Sequence, residues 1–114
     1  MKFDITGRHI EVTEAIKSHV DGQLAKLDKV FDGKPAQAHV IIDVERGRHN
    51  SEVVVNWRSE VITAATSDSD MYNSISMTVD KIEKQARKMV EKVINKSHKA
   101  VKVSTLPLND EMAD

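Results

Sequence analysis

Apolar side chains recur along this chain with two different periods, and each change of period marks the border of an element. After Thr13, Ile16, Val20, Leu24, Leu27 and Phe31 return every three or four residues, the spacing of one helical face. Thr13 is a fitting N-cap, Glu14 puts a carboxylate in the first turn where it complements the helix dipole, and Gly33 and Pro35 stop the run. The period then shortens to two. Ala38, Val40, Ile42 and Val44 share one face of a first strand-like run. Val53, Val55 and Trp57 share one face of a second, and Val61, Thr63 and Ala65 one face of a third. The connections Arg46-Gly47-Arg48-His49-Asn50 and Arg58-Ser59-Glu60 are short enough for antiparallel hairpins. An earlier short strand alternates Phe3 and Ile5 with Lys2, Asp4 and Thr6 and ends at Gly7.

A second helix begins near Met71, capped by Asp68 or Ser69, and runs to about Lys99. Met71, Tyr72, Ile75, Val79, Ile82, Ala86, Met89, Val90 and Val93 fall on one side of it, so Met71 and Tyr72 are expected to anchor it in the core. The predicted order is β-α-β-β-β-α. It implies an α+β fold: a single domain whose four-stranded sheet carries both helices on one face. His39, Asp43, Glu45, Glu52 and Asn56 fall on the opposite, outer face, with Ile41 and Val54 as apolar exceptions. The ordered domain is expected over residues 1–99. Residues 100–114 contain Pro107, lose helical periodicity and end in Asn109-Asp110-Glu111-Met112-Ala113-Asp114, which reads as a flexible, acidic-ended tail.

Composition narrows the function classes. A chain of 114 residues builds one modest core. It has no cysteine, which excludes disulfides and thiolate metal sites. No apolar h-region follows Met1, and Val40-Ile41-Ile42 and Val53-Val54-Val55 are far too short to span a bilayer, so a soluble, cytoplasmic protein is expected. Its four glycines are isolated, its five histidines lack metal-ligand spacing, and no nucleophile motif is present. This pattern supports no enzyme, no metal, no cofactor and no small-molecule substrate.

Charge distribution says more than the net value of −1. Residues 1–69 hold nine Lys/Arg and eleven Asp/Glu, residues 70–102 eight and four, and residues 103–114 none and three. The basic excess sits on the second helix, where Lys81, Lys84, Lys88, Lys92 and Lys99 form a row about 27 Å long at 1.5 Å per residue. Asp80, Glu83 and Glu91 lie toward one flank rather than alternating along the row, and of them only Asp80 stands i,i+4 from one of its lysines, Lys84. On the first helix His19, Lys26 and Lys29 lie on one flank, Asp21 and Asp28 on the other. Two helices with basic flanks on one sheet would make a ridge or shallow groove suited to an RNA backbone. Arg46 and Arg48 in the hairpin loop, with His19, Arg87 and Lys99, are secondary candidates. Tyr72 and Trp57 occupy apolar registers, so stacking on bases is not expected. The apolar stripe of the long helix is needed to cover the sheet, which argues against a membrane.

The run Ile5-Thr6-Gly7-Arg8-His9-Ile10-Glu11-Val12-Thr13-Glu14-Ala15-Ile16, then Lys26-Leu27-Asp28-Lys29 with Phe31-Asp32, and above all Asp70-Met71-Tyr72-Asn73-Ser74-Ile75 with Val79-Asp80-Lys81-Ile82 and Gln85, resembles the ribosome hibernation promoting factor family of ribosome-associated inhibitors, over residues 1 to about 99. The resemblance implies a β-α-β-β-β-α fold similar to double-stranded-RNA-binding domains. It also implies a non-enzymatic bacterial inhibitor that occupies the mRNA and tRNA channel of the small ribosomal subunit and preserves idle ribosomes in stress or stationary phase. Its partners would be rRNA and neighbouring ribosomal proteins, and it would be a monomer off the ribosome. Lys26, Lys29, Lys81, Lys84, Lys88 and Lys92 match the family's basic contact positions, whereas Gly22 departs from the pattern on the first helix. The length implies a short form, longer than the minimal one and without the C-terminal dimerisation domain of the long forms. A protein-interaction module modulating transcription through an alternative sigma factor is the other reading.

Overall fold

A computed structural model describes residues 1–32 and 36–102 of the chain, with side chains as far as Lys92. Six elements follow in the predicted order: β1 (Lys2–Arg8), α1 (Glu14–Val30), β2 (Gln37–Glu45), β3 (Arg48–Trp57), β4 (Glu60–Asp68) and α2 (Met71–Lys102). Gly33, Pro35 and the chain from residue 103 lie outside the described residues, as do the side chains of Val93 and Lys99.

The sheet order is β1-β2-β3-β4. Helix α1 carries the chain from the end of β1 back to the start of β2, so those two strands are parallel, with Lys2 opposite Gln37. Tight turns make the remaining pairs antiparallel. Both helices cover one face. Ile16, Val20, Leu24 and Leu27 of α1 meet Val40, Ile42, Val53 and Val55 of the sheet and Ile75, Val79, Ile82 and Ala86 of α2 in one buried cluster. Phe31, just past α1, stacks on Trp57 with ring centroids 5.3 Å apart. Close packing also explains Gly7, since any side chain there would run into the carbonyl of Ile10.

Thr13 caps α1 as expected, its hydroxyl accepting from the Ile16 N–H at 3.2 Å. Several local readings are corrected. The first hairpin loop is only Arg46-Gly47, both at positive φ (52° and 78°), as a tight turn between twisted strands needs. Arg48, His49 and Asn50 belong to β3. The second loop is Arg58-Ser59, which pairs Trp57 with Glu60. Val61, Thr63 and Ala65 do share a face of β4, but it is the outer one: Val61 is 63% exposed, and Ile62 and Ala64 enter the core instead. The cap of α2 is Asp70, whose carboxylate accepts from Asn73 N–H at 2.9 Å, while Asp68 accepts from Asp70 N–H and the Asn73 side chain. Met71 is buried as expected, yet Tyr72 is 40% exposed. Helix α2 extends to Lys102, three residues past its predicted end.

One layer of the interior is polar. Ser51 of β3, Thr66 of β4 and Ser74 and Thr78 of α2 form a cluster of hydroxyls, with Ser51 Oγ 2.6 Å from Thr78 Oγ1 and 2.9 Å from Ser74 Oγ. Each also reaches a backbone carbonyl or a second hydroxyl, so none is left desolvated without a partner. Such directional bonds fix the rotation of α2 about its axis, which apolar packing alone does loosely.

Candidate nucleic-acid interface

The fixed rotation decides which side chains α2 presents. Gln85 donates to the carbonyl of Thr63 at 3.2 Å, so that flank of the helix overlies β4, an edge strand. Lys81, Lys88 and Lys92 stand four, three and seven residues from Gln85 and therefore on the same ridge, with Lys84 beside them. All four lysines are exposed, and none has a carboxylate within 4 Å among the described residues. The row runs about 16 Å from Lys81 to Lys92, along the sheet edge. Lys99 continues the sequence pattern but its side chain is not described.

The other flank of α2 faces α1. His19 Nε2 lies 3.0 Å from the Tyr72 carbonyl and 3.1 Å from Ser76 Oγ. Ser76 and Gln85, nine residues apart, point to opposite sides of the helix. Lys26, two turns beyond His19, is exposed on the α2-facing flank of α1 and donates to Gln23 at 3.0 Å. Lys29 is exposed farther round. The two basic flanks therefore do not face each other across one groove; the outer surface of α2 separates them. Glu83 on the α1 side binds Arg87 at 2.7 Å, which commits that secondary candidate to an intrahelical pair. His19 is likewise engaged in holding the helices together.

Arg46 is exposed in the first hairpin turn, and Arg48 is exposed at the start of β3. The side-chain amide of Asn73 and the Asp70 N–H, with a smaller field from Arg48, hold the Asp68 carboxyl below the usual carboxylate range. On the outer sheet face the hydrogen bond from His9, 2.9 Å away, lowers Asp43 in the same way. A shallow recess of about 530 Å³ opens at the junction of α1 and α2, lined by His19, Asp68, Asp70, Tyr72, Asn73 and Ser76. Stepping at 100° per residue puts Tyr72 on the apolar side of α2 with Met71, but at the margin of that arc, 60° from Ile75, and here it faces the recess rather than the core. Among the described residues no cluster of His, Asp and Glu is placed to hold a metal ion, and no helix is long and apolar enough to cross a membrane.

A family model described as "Sigma 54 modulation protein / S30EA ribosomal protein" matches residues 3–94. The chain is similar to the ribosome hibernation promotion factor of Lactococcus lactis subsp. cremoris, with 35% identity over 115 residues, 99% of this chain and 62% of that protein. It is also similar to the ribosome hibernation promoting factor of Escherichia coli K12, with 33% identity over 93 residues, 82% of this chain and 97% of that protein. It thus spans less than two thirds of the first relative and nearly all of the second. The N-terminal domain of Thermus thermophilus Protein Y superposes with a TM-score of 0.74 at 28% identity, covering 78% of this chain and 99% of that domain. A ribosomal subunit interface protein from Coxiella burnetii has the same fold, with a TM-score of 0.73 at 20% identity over 80% of this chain and 99% of that one.

Proposed function

Since the chain belongs to the Sigma 54 modulation protein / S30EA ribosomal protein family, we propose that it is a non-enzymatic ribosome hibernation factor of the cytoplasm. It docks on small-subunit rRNA and neighbouring ribosomal proteins, in the mRNA and tRNA channel, and keeps idle ribosomes from translating. The observation that carries this reading is the row Lys81, Lys84, Lys88 and Lys92, exposed and without carboxylate partners among the described residues. A merely solvating helix surface gains by interleaving acids with its lysines at i,i+4. A row left uncompensated keeps its charge for an anion outside the molecule, and a polyphosphate backbone rewards it through counterion release. Lys26 and Lys29 add cations from α1, and Arg46 and Arg48 from the hairpin turn. A role in transcription is named in the family description alone, whereas both curated relatives above carry ribosome hibernation names.

Co-sedimentation with ribosomes in rising salt tests the proposal. Wild type is expected to pellet at low salt and to be released as salt increases. A Lys84/Lys88/Lys92→Glu triple variant, shown to be folded by circular dichroism, is expected to remain in the supernatant. Equal pelleting of the two proteins would sink the proposal.

A further inference from the structure

We infer that the recess beside Tyr72 seats a single unpaired RNA base that bears an amino group; the inference rests on the RNA-binding reading above and adds a contact that reads base rather than backbone. Tyr72, in the first turn of α2, is 40% exposed and lines the recess, although the helix has a core beneath it for apolar side chains. The ring is held in place. His19 packs edge-on against it, centroids 5.2 Å apart at 90°, and anchors through Nε2 to the Tyr72 carbonyl and Ser76 Oγ. A fixed, exposed aromatic ring is a stacking platform, and every base has a face that suits one.

The polar lining selects what lies on that platform. At the start of α2 the Asn73 N–H is taken by Asp70 and the Asp70 N–H by Asp68, so carboxylates already occupy the place where a phosphate would cap the helix. Two carboxylates in the recess repel a phosphate further. What they accept is an N–H donor: adenine, cytosine and guanine each carry an exocyclic amino group, whereas uracil offers only its ring N3–H between two carbonyls. Asp68, held ionised by its bonds to Asn73 and the Asp70 N–H, keeps acceptor capacity for such a donor. The recess lies on the α1 side of α2 and the lysine row on the β4 side. An RNA strand crossing the outer surface of the helix therefore meets cations on one flank and a base seat on the other.

Tyr72 is the only tyrosine, so its ring resonances report on this seat without ambiguity. Hexamers of adenylate, cytidylate and uridylate, an RNA duplex and an oligoarginine peptide are each titrated at low salt. Adenylate and cytidylate are expected to move the Tyr72 ring signals upfield and to saturate; uridylate is expected to do so more weakly and the duplex not at all. Tyr72→Ala is expected to weaken the adenylate complex about tenfold or more, with Tyr72→Phe near wild type and duplex binding unchanged in both. The Lys84/Lys88/Lys92→Glu variant is expected to weaken every RNA. If Tyr72→Ala binds adenylate like wild type while the lysine variant loses it, the base seat is overturned and the RNA reading stands. Loss in neither variant overturns both. Tyr72 signals that move with oligoarginine and not with adenylate assign the recess to a basic protein side chain and overturn the base seat.

Discussion

Asp68 and Asp70 divide the closing of α2 between them. Asp70 satisfies the Asn73 N–H, and Asp68 satisfies the Asp70 N–H and the Asn73 side chain. Replacing Asp70 by Ala is expected to cost about 1 kcal/mol, read as a fall of roughly 4–8 °C in Tm. The pH dependence follows from the lowered Asp68 carboxyl. Its folded form holds a proton less tightly than the unfolded chain does. Its contribution to stability is therefore complete at neutral pH and is lost as pH falls through the lowered value. Thermal melts between about pH 5 and pH 2 are expected to show a shallower loss of stability in Asp68→Asn than in wild type; parallel curves would refute the assignment. At this scale the sequence was legible where one residue has one job, as at Thr13. It was less so in Asp68-Ser69-Asp70, where three successive residues are all good caps. Only the backbone path chooses among them. Tyr72 was misread for a related reason, because a residue at the margin of an apolar arc is turned in or out by neighbours on another element, here His19.

Element identity and order followed from periodicity, since α1 and α2 repeat their apolar residues over several turns and β2 and β3 alternate apart from Ile41 and Val54. Strand β4 did not allow this. Val61-Ile62-Thr63-Ala64-Ala65-Thr66 places β-compatible side chains at both parities, so a period of two does not identify the buried set. The hairpin loop decides it. Counting Arg58-Ser59-Glu60 as loop sets Val61 opposite Trp57 and turns it inward. The actual two-residue loop sets Glu60 opposite Trp57, and hence Ile62 opposite Val55 and Ala64 opposite Val53. One residue of loop length exchanges the two faces of the strand. Stability measurements separate the registers: Ile62→Ala is expected to cost about 2–5 kcal/mol, and Val61→Ala no more than about 0.5 kcal/mol. The lysine row was legible as an element, because helical geometry fixes its spacing. Its separation from Lys26 and Lys29 was not, since the rotation of α2 depends on the buried hydroxyls of Ser51, Thr66, Ser74 and Thr78, and these look like ordinary polar residues in the sequence.

For the whole molecule, a net charge of −1 hides a cationic ridge on one edge of an otherwise acid-balanced body. What a polyanion meets is set by the ridge, because at physiological ionic strength charges more than about 8 Å apart through solvent are largely screened from one another. Salt dependence distinguishes this arrangement from a diffuse attraction. With Lys81, Lys84, Lys88 and Lys92 each neutralising a phosphate, the row is expected to contribute about −3 to −4 to the slope of the logarithm of the binding constant against the logarithm of salt. Replacing any one of the four by Gln is expected to flatten that slope by about one. Lys2 on the outer sheet face and Lys17, 3.8 Å from Glu14, are also exposed, and replacing either by Gln changes net charge by the same amount. Both are expected to leave the slope untouched. If Lys2→Gln and Lys17→Gln flatten it as much as the row variants do, the anion is responding to total charge, and the ordered row along β4 has no special part in binding.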